Sequence, residues 1–219
     1  MNTAELALAS PLSSDADVAY SRPMIPEPED SALMLRYRDG DVSAFEVLYR
    51  RHNDALYRYL LRLSRHPATA EDVFQEVWSK IINSRSRYRP TAKFTTFLYR
   101  VAHNCFIDHV RRNRRHGNTV DVDPDTQQQD GDGPEAETER ELARRRMLEA
   151  LAELPEEQRD AFLLREEGGL ALDEIAHVTG VNRETAKSRL RYAANKLRSA
   201  MTDAATGTAP GVEAPGVEE

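Results

Sequence analysis

From residue 30 onward, apolar positions recur at helical spacing. Leu56, Tyr59, Leu60 and Leu63 fall at i, i+3, i+4 and i+7, one face of a helix. Val73, Phe74, Val77, Trp78 and Ile81 form a second stripe. Phe97, Leu98, Val101, Ala102, Cys105, Phe106 and Val110 form a third. Upstream, Leu33, Leu35, Phe45, Leu48 and Tyr49 flank a break at Asp39-Gly40-Asp41. Pro67 predicts the end of the helix before it, and Thr69 with Asp72 predicts the next N-terminus as a loose capping box. No run of β-branched residues alternates with period two, so the predicted class is all-α.

The pattern stops twice. Residues 117–138 are dominated by Gly, Asp, Gln and Pro, with Glu135 and Glu137 and no basic residue, which predicts a flexible acidic linker. It divides the chain into two small helical domains, expected at 30–116 and 139–201. Residues 1–29 carry Pro23, Pro26 and Pro28 and read as a disordered arm; residues 202–219 read as a disordered acidic tail. In the second domain Leu148, Leu151 and Leu154 make one stripe before Pro155, and Ala161, Phe162 and Leu164 another before Gly168-Gly169.

Composition narrows the classes. The chain has 219 residues, 40% hydrophobic and 31% charged. It has no apolar run of the ~18–20 residues a membrane helix needs. Met1 to Ser14 carry no Lys or Arg, and Cys105 is the single cysteine. The expectation is a cytoplasmic protein with no disulfide framework and no membrane insertion. The net charge of -7 argues against nucleic acid until it is read by segment.

The segment 172–198 reverses that sign. Leu172 to His177 predicts a short helix with Ile175 and Ala176 facing inward. Thr179-Gly180-Val181 is a turn, with Gly180 suited to a left-handed cap, and Asn182 is an N-cap for the next helix. That helix buries Ala186, Leu190, Ala193, Ala194 and Leu197. Arg183, Lys187, Arg189, Arg191, Lys196 and Arg198 stand against Glu184 alone. This is the pattern of a helix-turn-helix with a basic recognition helix for the major groove. A solvated amphipathic helix in a plain bundle would not need turn, cap and charge to agree.

A second basic segment runs from 85 to 116. It holds Arg85, Arg87, Arg89, Lys93, Arg100, Arg111, Arg112, Arg114 and Arg115 against Asp108, with Tyr88, Phe94, Phe97 and Tyr99 interleaved. Cations can hold phosphates while aromatic pockets take unstacked bases, so this mixture suits single-stranded nucleic acid. Between the stripes, Asp72, Gln75 and Glu76 share one side of a helix and offer a polar acidic face to a basic partner.

Residues 30–115 resemble region 2 of bacterial extracytoplasmic-function sigma factors of the sigma-70 family. The matching stretches are Gly40 to Tyr49, Ala70 to Trp78, Phe94 to Asn104, and Asp108 with Arg111-Arg112. Leu154-Pro155-Glu156-Glu157-Gln158-Arg159 and Thr185-Ala186-Lys187-Ser188-Arg189-Leu190 resemble region 4. The motifs occur in the family's order and spacing.

The resemblance implies a sigma factor. It would bind core RNA polymerase, at the β′ clamp and the β flap, and direct it to promoter DNA through -35 and -10 elements. Glu71, Asp72, Gln75, Glu76 and Trp78 would dock the clamp. Arg87, Tyr88, Arg89, Lys93, Phe94, Tyr99, Arg100, Asn104, Arg111 and Arg112 would take the -10 element and open it. Arg183, Thr185, Lys187, Ser188, Arg189, Arg191 and Tyr192 would read the -35 element. No cofactor is implied, and an anti-sigma factor is an expected partner. The family often carries Trp where Phe97 stands; that ring is expected in the core, and the loop Arg87 to Lys93 is expected to hold a flipped base.

Other readings are weaker. Cys105, His109, His103 and His116 lack the convergence of a zinc site, so a buried cysteine is expected. No nucleophile–base pair or phosphate loop stands out, so no enzyme is expected. An ordinary dimeric helix-turn-helix regulator would explain the second domain but not the aromatic-basic first one. A pure protein adaptor would not need the recognition helix.

Overall fold

The computed structural model describes residues 28–115 and 139–206, all helical apart from turns and loops, with no strand among them. Domain 1 is α1 (Asp30–Arg38), α2 (Val42–Ser64), α3 (Pro67–Ser84), a single 3₁₀ turn (Arg85–Arg87) and α4 (Phe94–Arg115). Domain 2 is α5 (Glu139–Ala152), α6 (Glu156–Glu166), α7 (Leu172–Thr179) and α8 (Arg183–Thr206). The arm at 1–27, the linker at 117–138 and the tail from 207 lie outside the described residues. Helix α8 continues past the expected limit at residue 201.

The chain breaks where its sequence supplies caps. Gly40 takes φ +109, and Asp41 then caps α2, accepting from Ser43 Oγ at 2.6 Å and Ala44 N–H at 3.3 Å. The start of α3 differs from expectation. Pro67 opens that helix, His66 is its N-cap, and His66 Nδ1 accepts from Thr69 N–H at 3.5 Å. Proline fits a first helical position because the N–H it lacks would have no partner there. Thr69 therefore lies inside the helix.

The predicted stripes form the cores. Leu48, Leu56, Leu60, Val73, Val77, Ile81, Leu98 and Cys105 are fully buried in domain 1; Ala161, Leu164, Ile175, Ala186 and Ala193 are in domain 2. An aromatic layer joins α1, α2 and α3: Phe45 lies 4.7 Å from Tyr37 and 5.7 Å from Trp78, and Tyr49 lies 4.9 Å from Trp78. The two domains also touch, with α6 against α2 and α7 against α4.

Candidate nucleic-acid and polymerase interface

The recognition helix is set by its turn. Gly180 takes φ +68, and Val181 N–H donates back to Ala176 O at 3.1 Å, closing α7. Thr185 N–H donates to Asn182 Oδ1 at 2.8 Å, opening α8. With Ala186, Ala193 and Leu197 buried, α8 exposes Arg183, Lys187, Arg191 and Tyr192, while Thr185, Ser188 and Arg189 are half-buried beside them. Arg183 is paired with Asp173 at 2.7 Å, and the Arg191 guanidinium lies 5.2 Å from the Tyr192 ring centre. All seven expected residues thus share this helix's outer surface or its margins.

The basic-aromatic segment is less uniform. An open cavity of about 480 Å³ lies between α3 and α4, lined by Lys80, Asn83, Ser84, Arg87, Phe97, Val101, Asn104 and Asp108. Arg87 and Asn104 were expected here; Lys80 and Asn83 come from α3 and carry no motif that would flag them. Phe97, expected in the core, is half-buried and lines this cavity. Phe94 is the core ring instead, 1% exposed, with Phe97 6.3 Å away. One helical turn separates the two rings, and the packing of Phe94 against His52 decides which turns inward. Tyr88 is buried at 5% against Phe97. Of the loop residues, Arg89 and Lys93 are exposed. Arg111 is exposed at the end of α4.

On α3 the side chains of Glu71, Asp72 and Gln75 are exposed. Trp78 is not: it is 5% exposed inside the aromatic layer, so its ring offers a partner little surface. Glu76 receives Lys80 at 2.8 Å and Arg112 at 2.8 Å. Partial burial opposes its ionisation, but those two hydrogen bonds outweigh it and hold the carboxyl below its usual range. The ion pair joins a residue expected to face polymerase to one expected to face DNA.

Known proteins match this arrangement. The family model for sigma-70 region 2 matches residues 48–116, and that for sigma-70 region 4 matches residues 144–197. The chain is 33% identical over 166 residues to the RNA polymerase sigma factor CarQ of Myxococcus xanthus, covering 75% of this chain and 93% of that one. The chain belongs to the extracytoplasmic-function subfamily of sigma-70 factors. It is 30% identical over 173 residues to the ECF sigma factor SigM of Mycobacterium tuberculosis, covering 78% and 84% of the two chains. The fold is similar to that of CnrH in its complex with the cytosolic domain of CnrY, at TM-score 0.57 and 24% identity over 80% of this chain and 97% of that one. It is also similar to the sigma factor RpoE of Bartonella quintana, solved with the anti-sigma factor NepR, at TM-score 0.59 and 21% identity over 72% and 96%. This is a promoter-specific RNA polymerase sigma factor, a transcription initiation factor.

The sigma factor also holds its two domains together by polar contacts. Asp160 of α6, 5% exposed, accepts from Tyr59 OH at 2.7 Å and lies 2.9 Å from His103 Nδ1, without hydrogen-bond alignment to the ring. Glu167 receives Arg58 at 2.9 Å and also Arg62, and its carbonyl accepts from Tyr99 OH at 3.0 Å. Glu174 accepts from Thr96 Oγ1 at 3.0 Å and pairs with Lys93 at 3.3 Å. Arg100 donates to His177 Nε2 at 2.9 Å. Tyr99, expected at the DNA, is 2% exposed here, and burial pushes its hydroxyl well above the usual phenol range. Asp160, Glu167 and Glu174 sit outside the DNA-binding motifs, and their sequence context alone marks them as surface acids. No helix among the described residues is long and apolar enough to cross a membrane.

Proposed function

We propose that domain 1 of this sigma factor captures and opens the -10 element while domain 2 anchors the complex at the -35 element. The observation that carries this reading is the cavity between α3 and α4. A half-buried aromatic ring, Phe97, stands beside Arg87 and Asn104 in a space of about 480 Å³. A flipped base could stack on the ring, with Asn104 available to its polar edge and Arg87 to its phosphate. Arg89, Lys93, Arg100, Arg111 and Arg112 would track the strand, while Phe94 and Tyr88 support the ring from behind. Strand opening then needs no hydrolysis or cofactor, because binding the open strand supplies the energy.

On domain 2, Arg183, Lys187, Arg191 and Tyr192 would enter the major groove, with Thr185, Ser188 and Arg189 at the phosphates or base edges. Glu71, Asp72, Gln75 and Glu76 would meet the β′ clamp of core polymerase, with Trp78 shaping that helix from beneath; domain 2 would meet the β flap. The reading makes the protein a non-enzymatic, cytoplasmic factor. CnrH and RpoE were solved with CnrY and NepR, which supports an anti-sigma factor as a partner here too.

Run-off transcription with purified core polymerase tests the assignment, on a promoter selected from a random library. Wild-type protein yields a discrete transcript. Lys187→Ala weakens use of the -35 element and still co-elutes with core; loss of core binding by that variant would refute its place at DNA. No core binding, with tight binding of free protein to a palindromic duplex, would defeat the whole assignment.

A further inference from the structure

We propose that Asp173 is a positioning residue for Arg183, holding its guanidinium toward a guanine in the -35 element. This rests on the -35 assignment above. Asp173 stands in the first turn of α7, outside the recognition helix, and Arg183 is the first residue of α8. Arg183 Nε donates to Asp173 Oδ1 at 2.7 Å. Among the described residues, no other member of the -35 set is tied to α7. Lys187 pairs with Glu184 of its own helix at 3.9 Å, and Arg191 lies over its neighbour Tyr192.

Its place in the helix explains why Arg183 uses an outside anchor. A long helical side chain leans back over the preceding turn, and the first residue of a helix has no such turn. The neighbouring Asn182 is committed to Thr185 N–H. In α7 the two acids of the first turn divide the work. Glu174 Oε2 accepts from Ala171 N–H at 2.7 Å and closes the helix start, which leaves Asp173 to Arg183. Both side chains of the pair stay wet, 59% and 75% exposed, so it adds little to stability. Its effect is directional. With Nε–H taken, the planar guanidinium presents its two Nη groups as a fork, which matches guanine O6 and N7. If the arginine swung instead to a phosphate, Asp173 would be left unpaired beside the DNA backbone. That penalises the backbone contact and favours the base. Both residues belong to domain 2, so the pair does not depend on how the domains pack.

Run-off transcription by the holoenzyme, core polymerase with the full chain, tests this on promoter libraries randomised at one -35 position at a time. Wild-type protein should favour guanine at one position, and Arg183→Ala should abolish that preference. Asp173→Ala should lower the same preference about fivefold, the most that an exposed pair is worth, and leave the other positions unchanged. Asp173→Asn keeps an oxygen for Nε–H and should retain more of the preference. In an Arg183→Lys background, where no fork remains to be aimed, Asp173→Ala should add nothing.

An unchanged guanine preference in Asp173→Ala overturns the positioning role. So does an equal loss at every -35 position, which marks damage to the fold of domain 2 and not a misdirected side chain. Preference for a base other than guanine at the Arg183 position overturns the guanine reading. If Arg183→Ala shifts no position while Lys187→Ala does, Arg183 reads no base, and the proposal falls with the -35 assignment of domain 2 intact. If neither variant shifts any position, the -35 assignment itself fails.

Discussion

Arg159 is a charged residue serving as a structural part. Its side chain is buried at the corner between α5 and α6, where Nη1 donates to Ala152 O at 3.0 Å and Leu154 O at 3.2 Å. Burial pulls its pKa below the usual guanidinium range. Arg159→Ala should leave two carbonyls without partners and cost about 2–3 kcal/mol in urea unfolding of the full chain. An unchanged unfolding midpoint would show that water replaces the guanidinium. Asp41 works at the surface. Hydrogen bonds from Ser43 and Arg36 hold its carboxyl near a pKa of about 2, below the ordinary 3.8. A depressed carboxyl stabilises the fold above the ordinary value and loses that contribution as pH falls toward 2. Melting temperature should therefore drop between pH 4 and pH 2, and Asp41→Asn, which can still cap α2, should flatten part of that slope. The sequence marks Asp41 as a break residue but gives Arg159 no sign of burial, because a charged side chain is expected outside until carbonyls are brought to it.

Among the elements, α7 and α8 owe their angle to three adjacent residues. Thr179-Gly180-Val181 closes one helix and Asn182 opens the next, and both functions follow from local backbone chemistry. Asn182→Ala should destabilise domain 2 by about 1 kcal/mol. Thermal denaturation checks this; a loss below a few tenths would mean that packing alone fixes the start of α8. Other elements were less legible. Periodicity places Phe94, Phe97 and Leu98 on α4 but does not say which ring turns inward, since both lie near the edge of the same stripe. His52 and Tyr88 decide it. Trp78 likewise belongs to a stripe that meets both α2 and solvent, and Phe45 and Tyr49 draw it in.

For the whole molecule, charge is organised by surface more than by sum. A net charge of -7 coexists with a basic α8 and a basic face on domain 1. On the second of these, Lys93 is paired with Glu174 and Arg112 with Glu76. Free protein should consequently bind duplex promoter DNA weakly in a gel shift, and bind it tightly once core polymerase is added. Tight specific binding by free protein at physiological salt would contradict this. The all-α class, the helix-turn-helix, the two basic segments and the family are readable along the chain. Those are written in spacing, caps and local charge, which act over a few residues. Which of the expected DNA residues are exposed depends on packing: Tyr99 is 2% exposed and Phe94 1%. Tyr59 meets Asp160 across 101 positions, and Arg58 meets Glu167 across 109. Contacts at that separation depend on how two finished domains pack, and no periodicity along the chain encodes them.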